Sequence, residues 1–478
     1  MKTQTEQQLI NLCEDWTREQ VKQIAQLPPS GSYREYYRMR GDRTTVIGAF
    51  NPDRKENIAF LDFSRHFHRK GLNVPQIYLE NLDQHIYLLE DLGDTTLFSY
   101  LMDTRKNGIF PHKVLDVYKR VLEELPRFQV EAGEDLNYQV CYPRDRFDKQ
   151  SMLWDLNYFK YYFLKLAKVA FDEQELEDDF QTFTDYLLQT DCHYFLYRDF
   201  QSRNIMLYQN QPYFIDYQGG RRGALQYDVA SLLYDAKADL PQQVRRELLD
   251  HYIGALSAFI LLDEKSFLAY YYGYALIRLM QAMGSFGFRG FYEKKEHFLQ
   301  SIPYAVKNLE WLLETVRLPI KVPMLINALN QVVDSEALKN IGRAASMLTV
   351  RINSFSYRRG IPIDEMGNGG GYVFDCRALQ NPGRYAEYKD LSGQDAAVIE
   401  FFQREPDVEN FLHSIYTLVD QTIENYQQRS FLNCMISFGC TSGQHRSVYC
   451  AEQLAQHLRQ KFDVKVVVRH FEQEMKTA

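Results

Sequence analysis

Two short stretches hold the residues best suited to do chemistry. In "YRDFQSRNIML" (Tyr197–Leu207), Asp199 stands five residues before Asn204, and Asp216 follows in "FIDYQ", twelve residues after Asn204. Moving a phosphoryl group needs a carboxylate to orient the attacking hydroxyl, and acid or amide oxygens to hold a divalent cation across the phosphates. Asp199 suits the first task; Asn204 and Asp216 suit the second. The runs "NIMLY" and "PYFIDY" flank a short polar turn and predict a hairpin that returns Asp216 to face Asn204. The bland alternative makes Asp199 and Asn204 turn formers and Asp216 a strand cap, and it must explain all three placements separately.

The second stretch is "FGCTSGQHRS" (Phe438–Ser447), between an apolar strand signal, "FLNCMISF", and a helical one, "RSVYCAEQLAQHL". A glycine-bearing loop that opens a helix offers free backbone N–H groups and the positive end of the helix dipole, which together bind phosphate. Arg446 adds a bidentate donor. Cys440 and Arg446 also have C-x5-R spacing followed by Ser447, the pattern in which a thiolate attacks phosphorus. Three readings stay open: a pocket that binds phosphate without chemistry, a cysteine-dependent phosphatase, and an ordinary strand–helix turn. Gly439 stands where a His usually precedes a phosphatase Cys, which favours the first.

The elements that must position these residues come from a chain of 478 residues, long enough for two or three folding units. Hydrophobic residues make up 45% and charged residues 25%, as in an ordinary globular protein, and a net charge of -8 excludes a general nucleic-acid coat. The seven cysteines are scattered and free of CxxC spacing, which argues against a zinc site or a disulfide framework. With no apolar leader at the N-terminus and no run able to span a bilayer, a cytoplasmic location without membrane contact is expected.

The opening segment, Thr5 to Leu27, reads as an amphipathic helix. "GSYREYYRMRGDRTTVIGAF" predicts a hairpin with "GD" as its turn, a helix follows over Asn57–Lys70, and "IYLLEDLGD" predicts a strand. Helical signals dominate from Leu97 to Gln189 and from Asp228 to Val316. The predicted organisation is a two-lobed kinase-like domain over 1–316, a linker over 317–347 and a small domain of alternating strands and helices over 348–478. The fold class is α/β, an α+β lobed domain followed by a small α/β domain.

Residues 20–315 resemble the aminoglycoside-phosphotransferase/choline-kinase superfamily, and within it the anomeric amino-sugar kinases of AmgK type. The resemblance lies in "GSYREYYR", "LLEDLGD", "YRDFQSRNIML" and "FIDYQGGRRGALQYDVASLLYD". It implies ATP and Mg²⁺, Asp199 as base, Asn204 and Asp216 on the metal, and an adenine hinge through the backbone of Glu90, Asp91 and Leu92. Asp228 is expected to brace the lobe. The implied acceptor is an amino sugar such as N-acetylmuramate or N-acetylglucosamine.

The sequence departs from this pattern at several points. Tyr197 stands where such loops usually carry a His, a supporting position that a Tyr can fill. The strand "TTVIGAF" lacks the phosphate-binding Lys of many kinases, and Arg34 or Arg38 is the candidate substitute, with Ser32 beside it at the nucleotide. Gln201 replaces a His of the sugar kinases at the substrate. Arg221 and Arg222 are candidates for an anionic substrate group, or else belong to a solvated loop.

Residues 349–470 resemble the C-terminal domain of RapZ, the RNase adaptor protein, through "FSYRRGIPIDEMGNGGGYVFDCRALQNP", "LSGQDAAVIEFFQREPDVENFL" and "ISFGCTSGQHRSVYCAEQLAQHL". The resemblance implies a pocket for a phosphorylated amino sugar built from Cys440, Thr441, Ser442, Gly443, His445 and Arg446. It also implies RNA as a partner, which the 14 Lys+Arg against 16 Asp+Glu of residues 349–478 oppose.

Overall fold

The computed structural model describes residues 3–28, 34–105, 110–341, 348–364, 370–428, 431 and 433–477. It divides into two compact units, Met1–Lys339 and Asn340–Ala478, and combines helices and sheets as the α/β class requires.

The first unit opens with helix α1 (Gln4–Thr17), started by a Thr3–Glu6 capping box and ended at Arg18, whose φ of 57° is left-handed. The helix is shorter than the sequence suggests. Residues Gln23–Gln26 form strand β1 instead, because they pair antiparallel with β2 (Glu35–Arg40). Strand β3 (Thr45–Phe50) completes the predicted hairpin, β4 (Ile77–Asn81) is an unanticipated edge strand, and β5 (Ile86–Glu90) lies inside, in the order β1-β2-β3-β5-β4. Leu9, Ile10 and Cys13 of α1 pack with Met39, Val46, Ile86 and Leu88 of the sheet. Helix α2 (Arg54–Arg69), capped by Asp53, carries buried Phe60, Phe63 and Phe67.

Helices α3 (Leu97–Thr104), α4 (His112–Pro126), α5 (Lys149–Phe159) and α6 (Glu173–Leu187) begin the larger lobe. Strands β6 (Tyr194–Leu196), β7 (Ile205–Tyr208), β8 (Gln211–Phe214) and β9 (Arg221–Gly223) follow, with β7 and β8 forming the predicted hairpin. Helices α7 (Leu225–Leu233), α8 (Gln242–Leu256), α9 (Glu264–Phe286), α10 (Glu296–Leu299) and α11 (Ile302–Thr315) complete its core. Part of the high aromatic content sets the loop Tyr197–Leu207. Tyr197 lies 5.7 Å from Phe128 and 5.9 Å from Tyr217, and Phe128 lies 5.0 Å from Phe214, ring centre to ring centre, in edge-on contacts.

The segment 317–347 differs from the expected linker. Helix α12 (Pro323–Asp334) buries Leu325, Ala328, Leu329 and Val332, and the Leu325 N–H donates to Asp179 on α6 at 2.8 Å. Its apolar stripe makes it a core helix of the first unit. Helix α13 (Glu336–Asn340) follows, and residues 342–347 lie outside the described set.

The second unit holds a wholly parallel sheet in the order β11-β12-β10-β13, built from β10 (Thr349–Ser356), β11 (Tyr372–Asp375), β12 (Asn433–Cys440) and β13 (Lys465–His470). Helices α14 (Ala396–Gln403), α15 (Pro406–Gln428) and α16 (Arg446–Lys461) cover it, and α17 (Phe471–Thr477) ends it. Val350, Ile352, Ile436 and Phe438 face Val419, Ile423, Leu454 and Leu458 in one core, as a sheet with covered faces requires.

Candidate functional site

Each of the two loops lies in its own unit. In the first, the hairpin brings Asn204 and Asp216 together: Asn204 Nδ2 donates to Asp216 Oδ2 at 3.2 Å and to the Asp199 carbonyl at 2.9 Å. The amide thus ties the loop to the strand, and its Oδ1 is the atom left for a ligand. The Ile215 N–H donates to the Asn204 carbonyl at 3.1 Å, and the Tyr197 hydroxyl donates to the Ile215 carbonyl at 2.6 Å. Tyr197 therefore does the supporting work expected of it.

Asp228 braces the same loop, accepting N–H groups from Tyr197 at 2.8 Å, Arg198 at 3.0 Å and Gln129 at 3.2 Å. Arg198 sits in the left-handed region at φ 81°, a costly conformation for a side-chain-bearing residue. Two bonds of 2.7 Å to Asp155, and one of 2.7 Å to the Tyr227 hydroxyl, hold it there. Asp216 is also left-handed, at φ 69°.

Burial, and then the charge of Asp199, raise the Asp216 carboxyl above its ordinary range. Gln218 Nε2 donates to Asp216 Oδ1 at 2.6 Å and partly offsets this. Two acids close enough to repel form a place that a divalent cation would neutralise. Among the described residues no group of three or more His, Cys, Asp or Glu surrounds such a position. Asn204 Oδ1 and the Asp216 carboxylate are oxygen donors of the kind a hard divalent cation takes alongside phosphate oxygens.

The predicted nucleotide residues divide. Asp91 and Leu92 follow β5, and their backbone enters none of the backbone–backbone hydrogen bonds found among the described residues. The Glu90 N–H instead donates to the Gln76 carbonyl at 2.9 Å. The Asp91 carboxylate is held by Arg38 at 2.7 Å, and Arg38 also reaches Asp94 at 2.9 Å, so Arg38 is committed to the turn after β5. Arg34 is buried, with Nη2 3.1 Å from Glu56 of α2. Its charge acts on Asp216. A buried cation paired with a helix carboxylate therefore stands near the metal-side acid, although β3 has no Lys. Ser32 lies outside the described residues.

Arg221 and Arg222 are not placed as a joint anion clamp. Arg221 is buried, its Nε donating to the Gly219 carbonyl at 3.0 Å. Arg222 stacks 3.9 Å over the Tyr138 ring and donates to the His193 carbonyl at 3.2 Å. It lines a polar depression of about 760 Å³ with Tyr138, Arg144 and Asp145, and none of Asp199, Asn204 and Asp216 lines that depression. Gln201 is partly buried, and its carbonyl accepts the Asn204 N–H at 2.9 Å.

Three participants escaped the sequence reading. Glu56 and Asp155 look like any surface acid in a helix. Arg278 had a signal, a single charge within "YYYGYALIRLMQAMGSF". It places Nη2 3.9 Å from Asp199 Oδ1 and donates Nε–H to Ser231 at 2.9 Å.

In the second unit, Cys440 ends β12 and the loop Thr441–His445 leads into α16, beside the carboxyl end of β10, where parallel sheets bind ligands. Cys440 is buried, 3.2 Å from the Ser447 hydroxyl, and its Sγ accepts the Gly443 N–H at 3.1 Å. Gly443 has φ 67°, and a Cβ there would come within 3.0 Å of the Ser356 nitrogen, so only glycine fits. Thr441 and Ser442 are exposed. His445 lies 2.8 Å from the Tyr388 carbonyl through Nε2. Arg446 donates Nη1–H to the carbonyls of Arg377 at 2.9 Å and Leu379 at 3.1 Å.

Sequence comparison now assigns the chain. The profile described as "Phosphotransferase enzyme family" matches residues 24–262, half of the 478 residues. The chain belongs to that family. Residues 348–474 match the RapZ C-terminal domain, so one chain joins a phosphotransferase domain to a RapZ-type domain. Among curated relatives, "Nucleotide-binding protein IL0393" of Idiomarina loihiensis is 35% identical over 39% of this chain and 62% of its own length. A "Nucleotide-binding protein" of Leptothrix cholodnii is 41% identical over 29% of this chain and 41% of its own length. The chain thus spans about half the length of these two relatives. Among solved structures similar to this one are choline kinase LicA from Streptococcus pneumoniae and amicoumacin kinase hAmiN in complex with AMP-PNP, Ca²⁺ and Ami. The first has a TM-score of 0.42 at 14% identity over 65% of this chain and 100% of its own. The second has a TM-score of 0.43 at 13% identity over 67% of this chain and 97% of its own. Among the described residues no helix is long and apolar enough to cross a membrane.

Proposed function

We propose that the first unit transfers the terminal phosphoryl group of ATP to a hydroxyl of an amino sugar, and that the second unit holds a phosphorylated amino sugar without cleaving it. The convergence of Asp199, Asn204 and Asp216 on one hairpin carries the first half. Asp199 orients the acceptor hydroxyl and takes its proton. Asn204 Oδ1 and the Asp216 carboxylate would hold the cation. A divalent cation, Mg²⁺ in this reading, supplies charge neutralisation across the ATP phosphates when bound. Arg34, anchored by Glu56, offers the guanidinium that β3 lacks as a Lys. The backbone of Asp91 and Leu92 is free to pair with an adenine edge.

The likeness to anomeric amino-sugar kinases supports the acceptor class, as does the joining of a RapZ-type domain to the same chain. In the second unit, the start of α16 and the N–H groups of the Thr441–His445 loop, apart from that of Gly443, which Cys440 takes, make the phosphate subsite.

The test is a turnover screen with ATP and Mg²⁺ across amino sugars, choline and aminoglycosides. Amino sugars are expected to be phosphorylated. Turnover of choline or an aminoglycoside alone would move the acceptor class. Nucleotide binding without turnover of any acceptor would favour a second reading, a nucleotide-binding adaptor, for which the names of the curated relatives speak.

A further inference from the structure

Arg221 and Arg222 do not supply an anion clamp, but another set of cations adjoins the turn that carries Asn204. Arg203 is exposed on that turn, its guanidinium 4.1 Å over the Phe98 ring of α3. The preceding residue, Ser202, gives both its amide and its hydroxyl to Asp235. Asp235 in turn opens the 3-10 turn Ala236–Ala238, which carries Lys237. Lys237 is partly buried and donates to Gln300 Oε1 at 3.3 Å. Gln300 caps α10, the helix that carries His297. Three segments distant in sequence thus direct Arg203, Lys237 and His297 to one place.

These groups sense each other. Burial and the neighbouring Arg203 push the Lys237 ammonium down to about 8. Burial, then Lys237 and Arg203, lower His297 below the ordinary imidazole range. Nearby, Arg289 and Lys295 both pair with Glu293, at 3.2 and 3.0 Å. Neither Arg203 nor Lys237 has a carboxylate within 4.0 Å among the described residues. Asp235, whose charge favours the Lys237 ammonium, is already held by Ser202. Arg203, Lys237, Arg289 and Lys295 thus outnumber Asp235 and Glu293 here, and such an excess of like charge marks a place where a ligand supplies the missing charge.

We propose that Arg203, Lys237 and His297 form a subsite for an anionic substituent, a carboxylate or a phosphate, on the sugar whose hydroxyl Asp199 orients. The proposal rests on the kinase reading and sharpens its acceptor class. Arg203 stands four residues after Asp199 in the loop that ends at Asn204, so the proposed subsite and the acid that would orient the hydroxyl belong to one loop. N-acetylmuramate carries such a carboxylate, N-acetylglucosamine 6-phosphate carries the phosphate, and N-acetylglucosamine has neither.

The experiment measures turnover of the full chain with these three sugars, in wild type, Lys237→Met and Arg203→Gln. Loss of one charge-assisted contact is expected to raise KM for the preferred anionic sugar roughly 10- to 100-fold. The kcat/KM for N-acetylglucosamine is expected to stay within about twofold. Which anionic sugar suffers tells carboxylate from phosphate. Equal losses on all three sugars, or none, would overturn the subsite, and a thermal melt of each variant separates misfolding from a lost contact.

Should no sugar be turned over, the kinase reading fails and binding alone decides. Titration calorimetry of N-acetylmuramate and inorganic phosphate on the full chain is then compared between wild type and both variants. The loop at Cys440 is intact in all of them, so a weakened fit in the variants belongs to the cationic patch. Unchanged binding would remove the subsite independently of catalysis.

Discussion

The loop around Asp199 and the loop around Cys440 both suit phosphate, yet they handle their polar groups in opposite ways. In the first, Asp199 and Asp216 repel one another, and the Asp216 carboxyl is raised by burial and by that repulsion. Two residues of this region, Arg198 and Asp216, are held at positive φ. In the second, the groups that look reactive mostly hold neighbouring atoms, although Arg446 Nε is buried without a partner among the described residues. Cys440 rests against Ser447 and the Gly443 N–H, Arg446 holds two carbonyls, and His445 lies against a third. In the proposed reading, the loop with unbalanced charge acts on its ligand, and the loop whose side chains hold its own backbone receives one. Two sequence patterns suited to phosphate thus end in different internal partners.

The sharpest way to break this contrast is Asp199→Asn. Turnover is expected to fall on the order of 10²-fold or more while ATP-analogue affinity persists. A rate near wild type in an acceptor-dependent assay would take Asp199 out of the mechanism.

Next in size is Arg34→Met. Losing this cation is expected to weaken ATP roughly 10- to 100-fold, with little change in KM for the acceptor. Glu56→Gln should move ATP affinity in the same direction, because it leaves Arg34 without the acid that positions it. An ATP titration that is unmoved in both variants would assign the phosphate contact elsewhere.

On the second loop, Arg446→Ala should cost about 1.5–3 kcal/mol of glucosamine 6-phosphate binding. Because Arg446 also holds the Arg377 and Leu379 carbonyls, the melting temperature should fall with it. Cys440→Ser should retain binding. A phosphatase activity that disappears in Cys440→Ser would erase the difference between the loops in favour of covalent chemistry.

The smallest effect concerns Asp228, whose carboxyl is pushed up to about 7 by burial. The unfolded chain releases that proton near pH 4. Between these values the folded state binds more protons than the unfolded one, so stability should decline as pH rises through this window. Urea midpoints at pH 5 and 7.5 measure the decline, which should shrink in Asp228→Asn. An identical slope in that variant would place the titrating group elsewhere.

Much of this was legible from spacing. The hairpin of β7 and β8, the interval from Asp199 to Asp216 and the βα alternation after residue 348 are local patterns, and the structure has those elements where the patterns put them. What could not be read is pairing over distance. Gln23–Gln26 looks like the tail of a helix until β2 pairs with it. Glu56 is one acid among many until Arg34 reaches it, and Arg278 is an oddity in an apolar helix until Asp199 appears beside it. Arg221 and Arg222 misled for the opposite reason: their charge suggested a ligand, and the fold spends them on carbonyls and a tyrosine ring.

Helix α12 bears on how the chain folds as it is made. Its Leu325 N–H bonds to Asp179, 146 positions earlier, and its apolar stripe completes the packing of helices laid down long before. Contacts of such sequence separation form late, because the intervening chain must first be ordered. The face of the lobe that α12 covers therefore waits for residues 323–334 to be synthesised. A chain ending before α12 leaves uncovered the faces of α6 and α11 against which that helix packs, an apolar surface that invites chaperones or aggregation until α12 arrives.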